Sequence, residues 1–265
     1  MATPGPIKPA KTETHGGVTY NANDVKAKGI NENGKYFLIF NDGTKVVYDE
    51  QKNKQGLQAA LSGTRAENMD GLCVEITDNN PSWWGYDYKL NNCTNSNVLL
   101  NEDSAKGEGY ITVRAENGKQ NKILLENTNK KVCVDLNNEK NSIVSTGEGN
   151  DVVSIVGNNQ PNNKTSVKTG GGDDSVHIYD QNNVFINPGA GQDKVEINQN
   201  YNNNANVEQN IPLPNGEVTL GSGDKLGIHI RDGLKQASVS VEGRGTHRIE
   251  DTPKDAFTIS RDDSY

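Results

Sequence analysis

Hydrophobic residues make up only 32% of this 265-residue chain, and aromatic residues only 6%. With a mean hydropathy of −0.80, the sequence excludes the thick core of an ordinary globular domain of this length. No apolar run approaches the 18 or more residues of a membrane-spanning helix. Positive charge is in deficit too: 27 Lys and Arg against 35 Asp and Glu leave a net charge of −8. That balance argues against nucleic acid or an anionic membrane surface as the main partner, and it agrees with a cation. Three cysteines allow at most one disulfide within the chain. Cys73 and Cys93, which bracket both Trp residues, either pair or stay free, and Cys133 reads as a small filler in a strand. The four histidines (His15, His177, His229, His247) have no metal-ligand spacing, and no G-x-S-x-G elbow or glycine-rich phosphate loop is present. Residues 1–11 carry three Pro and two Lys without an apolar stretch, so no cleavable signal peptide is expected there.

What the chain does contain is one nine-residue sentence written three times. It reads Thr146-Gly147-Glu148-Gly149-Asn150-Asp151-Val152-Val153-Ser154, then Thr169-Gly170-Gly171-Gly172-Asp173-Asp174-Ser175-Val176-His177, then Pro188-Gly189-Ala190-Gly191-Gln192-Asp193-Lys194-Val195-Glu196. The shared positions are Gly at two and four, Asp at six and Val at eight. Paired glycines permit a tight loop with positive φ. Such a loop turns carbonyls toward one point, and the Asp adds a carboxylate. The second half alternates polar and apolar, as a strand burying one face does. A turn rich in hard oxygens suits calcium, which takes six to eight oxygen ligands, and does not suit zinc.

These units resemble the RTX nonapeptide, G-G-x-G-x-D-x-U-x, of calcium-binding parallel β-rolls. The resemblance implies Ca2+ held between stacked turns. Its ligands would be the Asp151, Asp174 and Asp193 carboxylates, with carbonyls of the loops at Gly147 and Gly149, Gly170 and Gly172, and Gly189 and Gly191. Position one departs from the pattern, being Thr146, Thr169 and Pro188. The spacing departs further: the units recur far more widely than every nine residues, so the glycine loops occupy one side of the coil. The other reading of the same residues is a metal-free solenoid corner in which each Asp caps backbone amides.

Short strand patterns recur from Leu99 onward, separated by turns rich in Asn, Gly and Lys. Two strands per coil give coils of about twenty residues, the lower end of solenoid repeats. The expected fold is all-β: a right-handed parallel β-helix or β-solenoid over residues 71–265 with a small N-terminal α+β cap over 18–70, behind a disordered leader over 1–17. The cap reads as a strand at 36–40, a turn at Asn41-Asp42-Gly43-Thr44, a return strand at 45–48 and a helix over 50–61. Leu220-Gly221-Ser222-Gly223-Asp224-Lys225-Leu226 reads as a damaged fourth unit, one residue short.

A second candidate site is the aromatic cluster Trp83, Trp84, Tyr86 and Tyr88, either a face for a carbohydrate or cell-surface protein or a cover for the cap–solenoid junction. The expected function is a secreted, extracellular calcium-binding solenoid of bacterial type. Its role would be structural, adhesive or ligand-binding, with folding coupled to calcium. The alternative is a carbohydrate-active β-helix enzyme (lyase, hydrolase or epimerase) using outward residues such as Lys168, His177, Arg231, Arg244, His247 and Arg248. No local motif names a catalytic residue, so the reading leans away from an enzyme. Ranks of outward Thr, which an ice-binding solenoid needs, are missing.

Overall fold

The computed structural model describes residues 11–53, 59–76, 86–100, 109–126, 128–157, 164–179, 184–188, 193–199, 217–220, 225–230, 234–241, 245–252 and 257–260, and side chains as far as Val195. The N-terminal strands are β1 (Thr12–His15), β2 (Val18–Asn21), β3 (Val25–Ile30), β4 (Tyr36–Phe40) and β5 (Lys45–Tyr48), then the helix α1 (Glu50–Asn53), β6 (Ala60–Ser62) and β7 (Arg65–Glu67). There follow β8 (Cys73–Ile76), β9 (Tyr86–Asn91), β10 (Asn97–Leu100), β11 (Tyr110–Glu116), β12 (Lys122–Leu124), β13 (Lys131–Asn137), β14 (Ile143–Ser145) and β15 (Val152–Val156). The series continues with β16 (Thr165–Lys168), β17 (Ser175–Tyr179), β18 (Val184–Asn187), β19 (Lys194–Gln199), β20 (Glu217–Leu220) and β21 (Lys225–Ile230). It closes with β22 (Leu234–Val241), β23 (Gly245–Thr252) and β24 (Phe257–Ser260).

From β8 to β22 the chain alternates between two 12-stranded sheets, each successive strand pairing in parallel with the one two before it. A parallel pair cannot be joined by a tight hairpin, so the crossover is made by the strand in the opposite sheet. The result is a β-solenoid, as the sequence predicts. Both ends are closed by antiparallel strands. At the start, β1 pairs with β2, β6 with β7, and β3, β4, β5 and β8 form an antiparallel run. At the far end β24 pairs with β21 and β23 with β22.

The core is thin and columnar, which is how a chain this polar folds at all. Val113, Val134, Val153, Val176 and Val195 are paired rung to rung in one sheet, and Ala115, Leu136, Ile155 and Ile178 form the next inward column. Across the interior stand Val74, Val98, Ile123, Val144, Val167 and Ile186, all buried. Most of these inward residues are β-branched, and stacking hides them on every side; each buried Val contributes about 2 kcal/mol.

The structure corrects the N-terminal reading in two places. Strand β1 lies inside the expected leader, folded against β2 through the Gly16-Gly17 turn, whose φ angles are 53° and 79°. His15 is accordingly engaged: its Nε2 lies 3.1 Å from the Gly29 carbonyl oxygen, and its own carbonyl accepts from the Tyr48 hydroxyl at 2.8 Å. Of the expected helix over 50–61, the described residues 50–53 are helical as α1, whereas Leu61 is buried in the strand β6 between Tyr20 and Ala66. Sheet pairing of a buried Leu outweighs local helix propensity, which Gly56 weakens further. The 36–48 hairpin forms as expected, with the Thr44 amide donating to Asp42 Oδ1 at 2.9 Å and Gly43 at φ 92°.

Candidate functional site

The three glycine units are corners leading from one sheet into the other, and they stack in register. Ser145, Lys168 and Asn187 are paired where the chain enters the corner, and Val152, Ser175 and Lys194 where it leaves. A Cβ on Gly147 would fall on the Thr128 carbonyl oxygen, and one on Gly170 would fall on the Gly147 carbonyl oxygen. Gly149 and Gly172 meet the Lys130 and Gly149 carbonyls in the same way. Successive loops therefore touch backbone to backbone, with carbonyls aimed along the stack. Gly170 and Gly172 also hold φ of 97° and 108°, which residues with a Cβ avoid. Gly189 and Gly191 lie outside the described residues.

The position-six acids form a buried ladder. Asp174 Oδ1 accepts the Asp151 amide at 2.7 Å, and Asp193 Oδ1 accepts the Asp174 amide at 2.8 Å. Asp151 Oδ1 likewise accepts the Val132 amide at 2.8 Å, one coil earlier. All three side chains are buried. The second oxygens of Asp151 and Asp174, their Oδ2 atoms, are buried and receive no hydrogen bond. Burial pushes the Asp151 carboxyl up to about 6, against the pull of the Thr146 hydroxyl and the Val132 and Gly147 amides. Asp174 is also pushed up to about 6, by burial first and then by the Asp151 and Asp173 charges, against the Thr169 hydroxyl and the Asp151 amide. The Thr146 hydroxyl donates to the Thr169 carbonyl at 2.8 Å. Thr169 donates likewise to the Pro188 carbonyl at 2.7 Å. The Thr residues at position one thus have a task of their own: each ties its loop to the next.

A buried anionic oxygen without a donor costs free energy until a proton or a cation reaches it. The residues present fit a hard cation: carboxylate oxygens and stacked carbonyls, with no sulfur or imidazole among them. Among the described residues no three His, Cys, Asp or Glu side chains gather at one point. Any ion here would therefore draw most of its ligands from the backbone. The corner between Ile186 and Lys194 exceeds that between their partners Val218 and Lys225 by one residue, so the fourth unit is short, as the sequence predicts.

No protein-family model matches the chain, and no curated protein or solved structure matches it either. The site is therefore read from its own atoms.

The opposite corner carries a second repeat that the sequence reading missed. Asn68, Asn92, Asn117 and Asn138 all hold positive φ (54°, 54°, 58° and 55°), and so do Gly71, Asn95, Gln120 and Asn141 three residues later. The signal was available: Asn tolerates the left-handed region better than most residues, and here it recurs once per coil. Side chains stack as well, Asn92 Nδ2 donating to Asn68 Oδ1 at 2.7 Å and Asn138 Nδ2 to Asn117 Oδ1 at 2.8 Å. Inside this corner sits Glu139, buried like the aspartates. Its Oε1 accepts the Gly118 amide at 2.8 Å, and its Oε2 accepts Asn121 Nδ2 and Ser142 Oγ, each at 2.9 Å. Burial raises its pKa, and the three donors oppose the rise.

The aromatic cluster divides. Trp83 and Trp84 lie outside the described residues. Tyr88 is fully buried, which removes it from any exposed binding face, and its ring stacks on Tyr86 with centroids 6.5 Å apart. Tyr86 is half-buried, donates to the Gly63 carbonyl at 2.6 Å and lies 2.5 Å from the Thr44 hydroxyl. These tyrosines join the N-terminal hairpins to the first coils, because a ring is large enough to fill the space where the two meet. Cys73, Cys93 and Cys133 are all free. His177 stands on the outer side of β17, half-buried and in register with Ser154 and Glu196.

Proposed function

We propose that this protein is a calcium-binding β-solenoid of the extracellular space, with a structural or adhesive role. The observation that carries the reading is the pair of buried carboxylate oxygens, Asp151 Oδ2 and Asp174 Oδ2, left without donors inside a stack of glycine loops. Asp151, Asp174 and Asp193, with carbonyls of the 146–150, 169–173 and 188–192 loops, would hold the ions. Calcium there would reach the two Oδ2 atoms that receive no hydrogen bond. Without it, successive buried carboxylates repel one another and the stack loses stability; with it, the same carboxylates become ties between coils. Sites built mainly of carbonyls bind weakly enough to fill where calcium is millimolar, which supports an extracellular setting and folding that waits for calcium.

The test is thermal melting and far-UV circular dichroism of the full chain in EDTA and then in millimolar calcium. We expect a large upward shift in melting temperature, or a β-sheet spectrum that forms only with calcium. An unchanged melt, with no calcium detected by calorimetry, would leave the aspartates as plain corner caps and end this reading.

A further inference from the structure

At the end of the solenoid where the chain begins, both sheets finish on edge strands, β1 in one and β3 in the other. Between them lies a groove of about 400 Å³ whose lining includes Lys11, Glu13, Tyr20, Val25, Lys26 and Lys28. In a chain of net charge −8, this groove gathers three ammonium groups around a single carboxylate. Glu13 bridges two of them, with Oε1 3.0 Å from Lys11 Nζ and Oε2 2.8 Å from Lys28 Nζ. The two ammoniums beside it hold its carboxyl down at about 2. Lys28 is further fixed by donating to the Tyr20 hydroxyl at 2.9 Å, which itself donates to Glu13 Oε2 at 3.3 Å. Lys11, paired with Glu13, is 72% exposed, and no acidic side chain among the described residues pairs with Lys26.

We propose that this groove is a binding site for a multivalent oxyanion, carboxylated or phosphorylated. Glu13 is the internal carboxylate that keeps the lysines gathered until the ligand displaces it. The groove already holds one carboxylate between two ammoniums, so its geometry for an oxyanion is built. Counting Glu13, two positive charges remain uncompensated there. Edge strands add exposed backbone amides on either side, which hydroxyls and anionic oxygens also accept from. Because the lysines face solvent, binding is expected to weaken steeply as salt rises.

The experiment is titration of the full chain in low-salt chloride buffer, followed by backbone amide chemical shifts. A uronic-acid oligosaccharide and inorganic pyrophosphate serve as separate probes. Shifts confined to β1, β2 and β3, and absent from 146–174, separate this groove from capture of ions at the glycine corners. Glu13→Gln should tighten binding several-fold by releasing two lysines, whereas Lys26→Glu should abolish it. Lys26 supports no other side chain among the described residues, so that variant is expected to stay folded. Glu75→Gln, which makes the same charge change at a pair 3.6 Å from Lys45 outside the groove, should leave affinity unaltered. Response to the oligosaccharide alone assigns a carboxylated ligand, and response to pyrophosphate alone a phosphorylated one. No shift with either probe in the wild type and in Glu13→Gln overturns the proposal. An equal gain from Glu75→Gln also overturns it, because the effect would then be net charge alone.

Discussion

At the asparagine corner, the buried Glu139 has both oxygens filled by protein donors. At the glycine corner, the equally buried Asp151 and Asp174 each have one oxygen filled and one left bare. Both corners reverse the chain between the same two sheets, so the requirement to turn does not explain the difference. An acid that only caps a corner can be satisfied with amides and hydroxyls, as Glu139 is. Leaving a buried carboxylate half-satisfied in successive coils is costly unless a proton or a cation reaches the bare oxygen, and the proposed occupant is the cation. The contrast teaches that burial by itself does not distinguish the two corners; a buried carboxylate with an unfilled oxygen does.

The largest expected effect is steric. Gly170→Val drives a side chain into the Gly147 carbonyl at a φ of 97°, and should destabilise the solenoid by more than about 3 kcal/mol in urea unfolding, with or without calcium. Next comes Val153→Ala, which opens a void in the inward column. It should cost about 2–3 kcal/mol equally in EDTA and in calcium, giving a control that ignores the corners.

The comparison itself is broken or sharpened by exchanging each acid for its amide. Asp174→Asn should melt higher than the wild type in EDTA, since it removes a buried charge, yet lower than the wild type in millimolar calcium. Glu139→Gln should lose about 1–2 kcal/mol in both conditions, because an amide cannot accept from three donors as a carboxylate does. If the two variants respond to calcium alike, the distinction between the corners fails.

Acidity offers a milder probe. Asp151 and Asp174 have folded-state pKa values of about 6 against an ordinary 3.8, so between those limits the folded chain binds more protons than the unfolded one. Metal-free stability should therefore fall as pH rises from about 4 to about 6 and level off above. If calcium binds as proposed, the trend should reverse in its presence, because protons and the ion would compete for the same oxygens; chemical unfolding across that range measures both arms. The smallest effect is at the backbone: Asn138→Ala should cost about 1 kcal/mol for its φ of 55°, and Asn138→Gly less.

The strands of the solenoid were legible because their pattern is local: apolar residues alternate within each short segment, and a polar chain with periodic valines has few other ways to bury them. The glycine corners were legible for the same reason, as four shared positions in one sentence. The asparagine corners were not, since Asn serves in ordinary turns and the repeat shows only when Asn68, Asn92, Asn117 and Asn138 are stacked. The Gly16-Gly17 turn passed for leader because β1 is short and polar and gains its order from β2. Leu61 passed for helix because its apolar spacing fits either element, and contact with Tyr20 and Ala66 settles the matter.

By itself, then, the sequence determined the two-sheet coil, its corner spacing and the acids placed at position six. Only the tertiary structure decided which oxygens of those acids are spent. A hydrogen bond donated by the Val132 amide to Asp151, or by the Asp151 amide to Asp174, joins residues about twenty positions apart in the chain, one solenoid repeat. No local pattern carries that information. It exists once the coils are stacked, because stacking brings one loop's amides and carbonyls against the next loop's carboxylate and shuts out the water that would otherwise satisfy it.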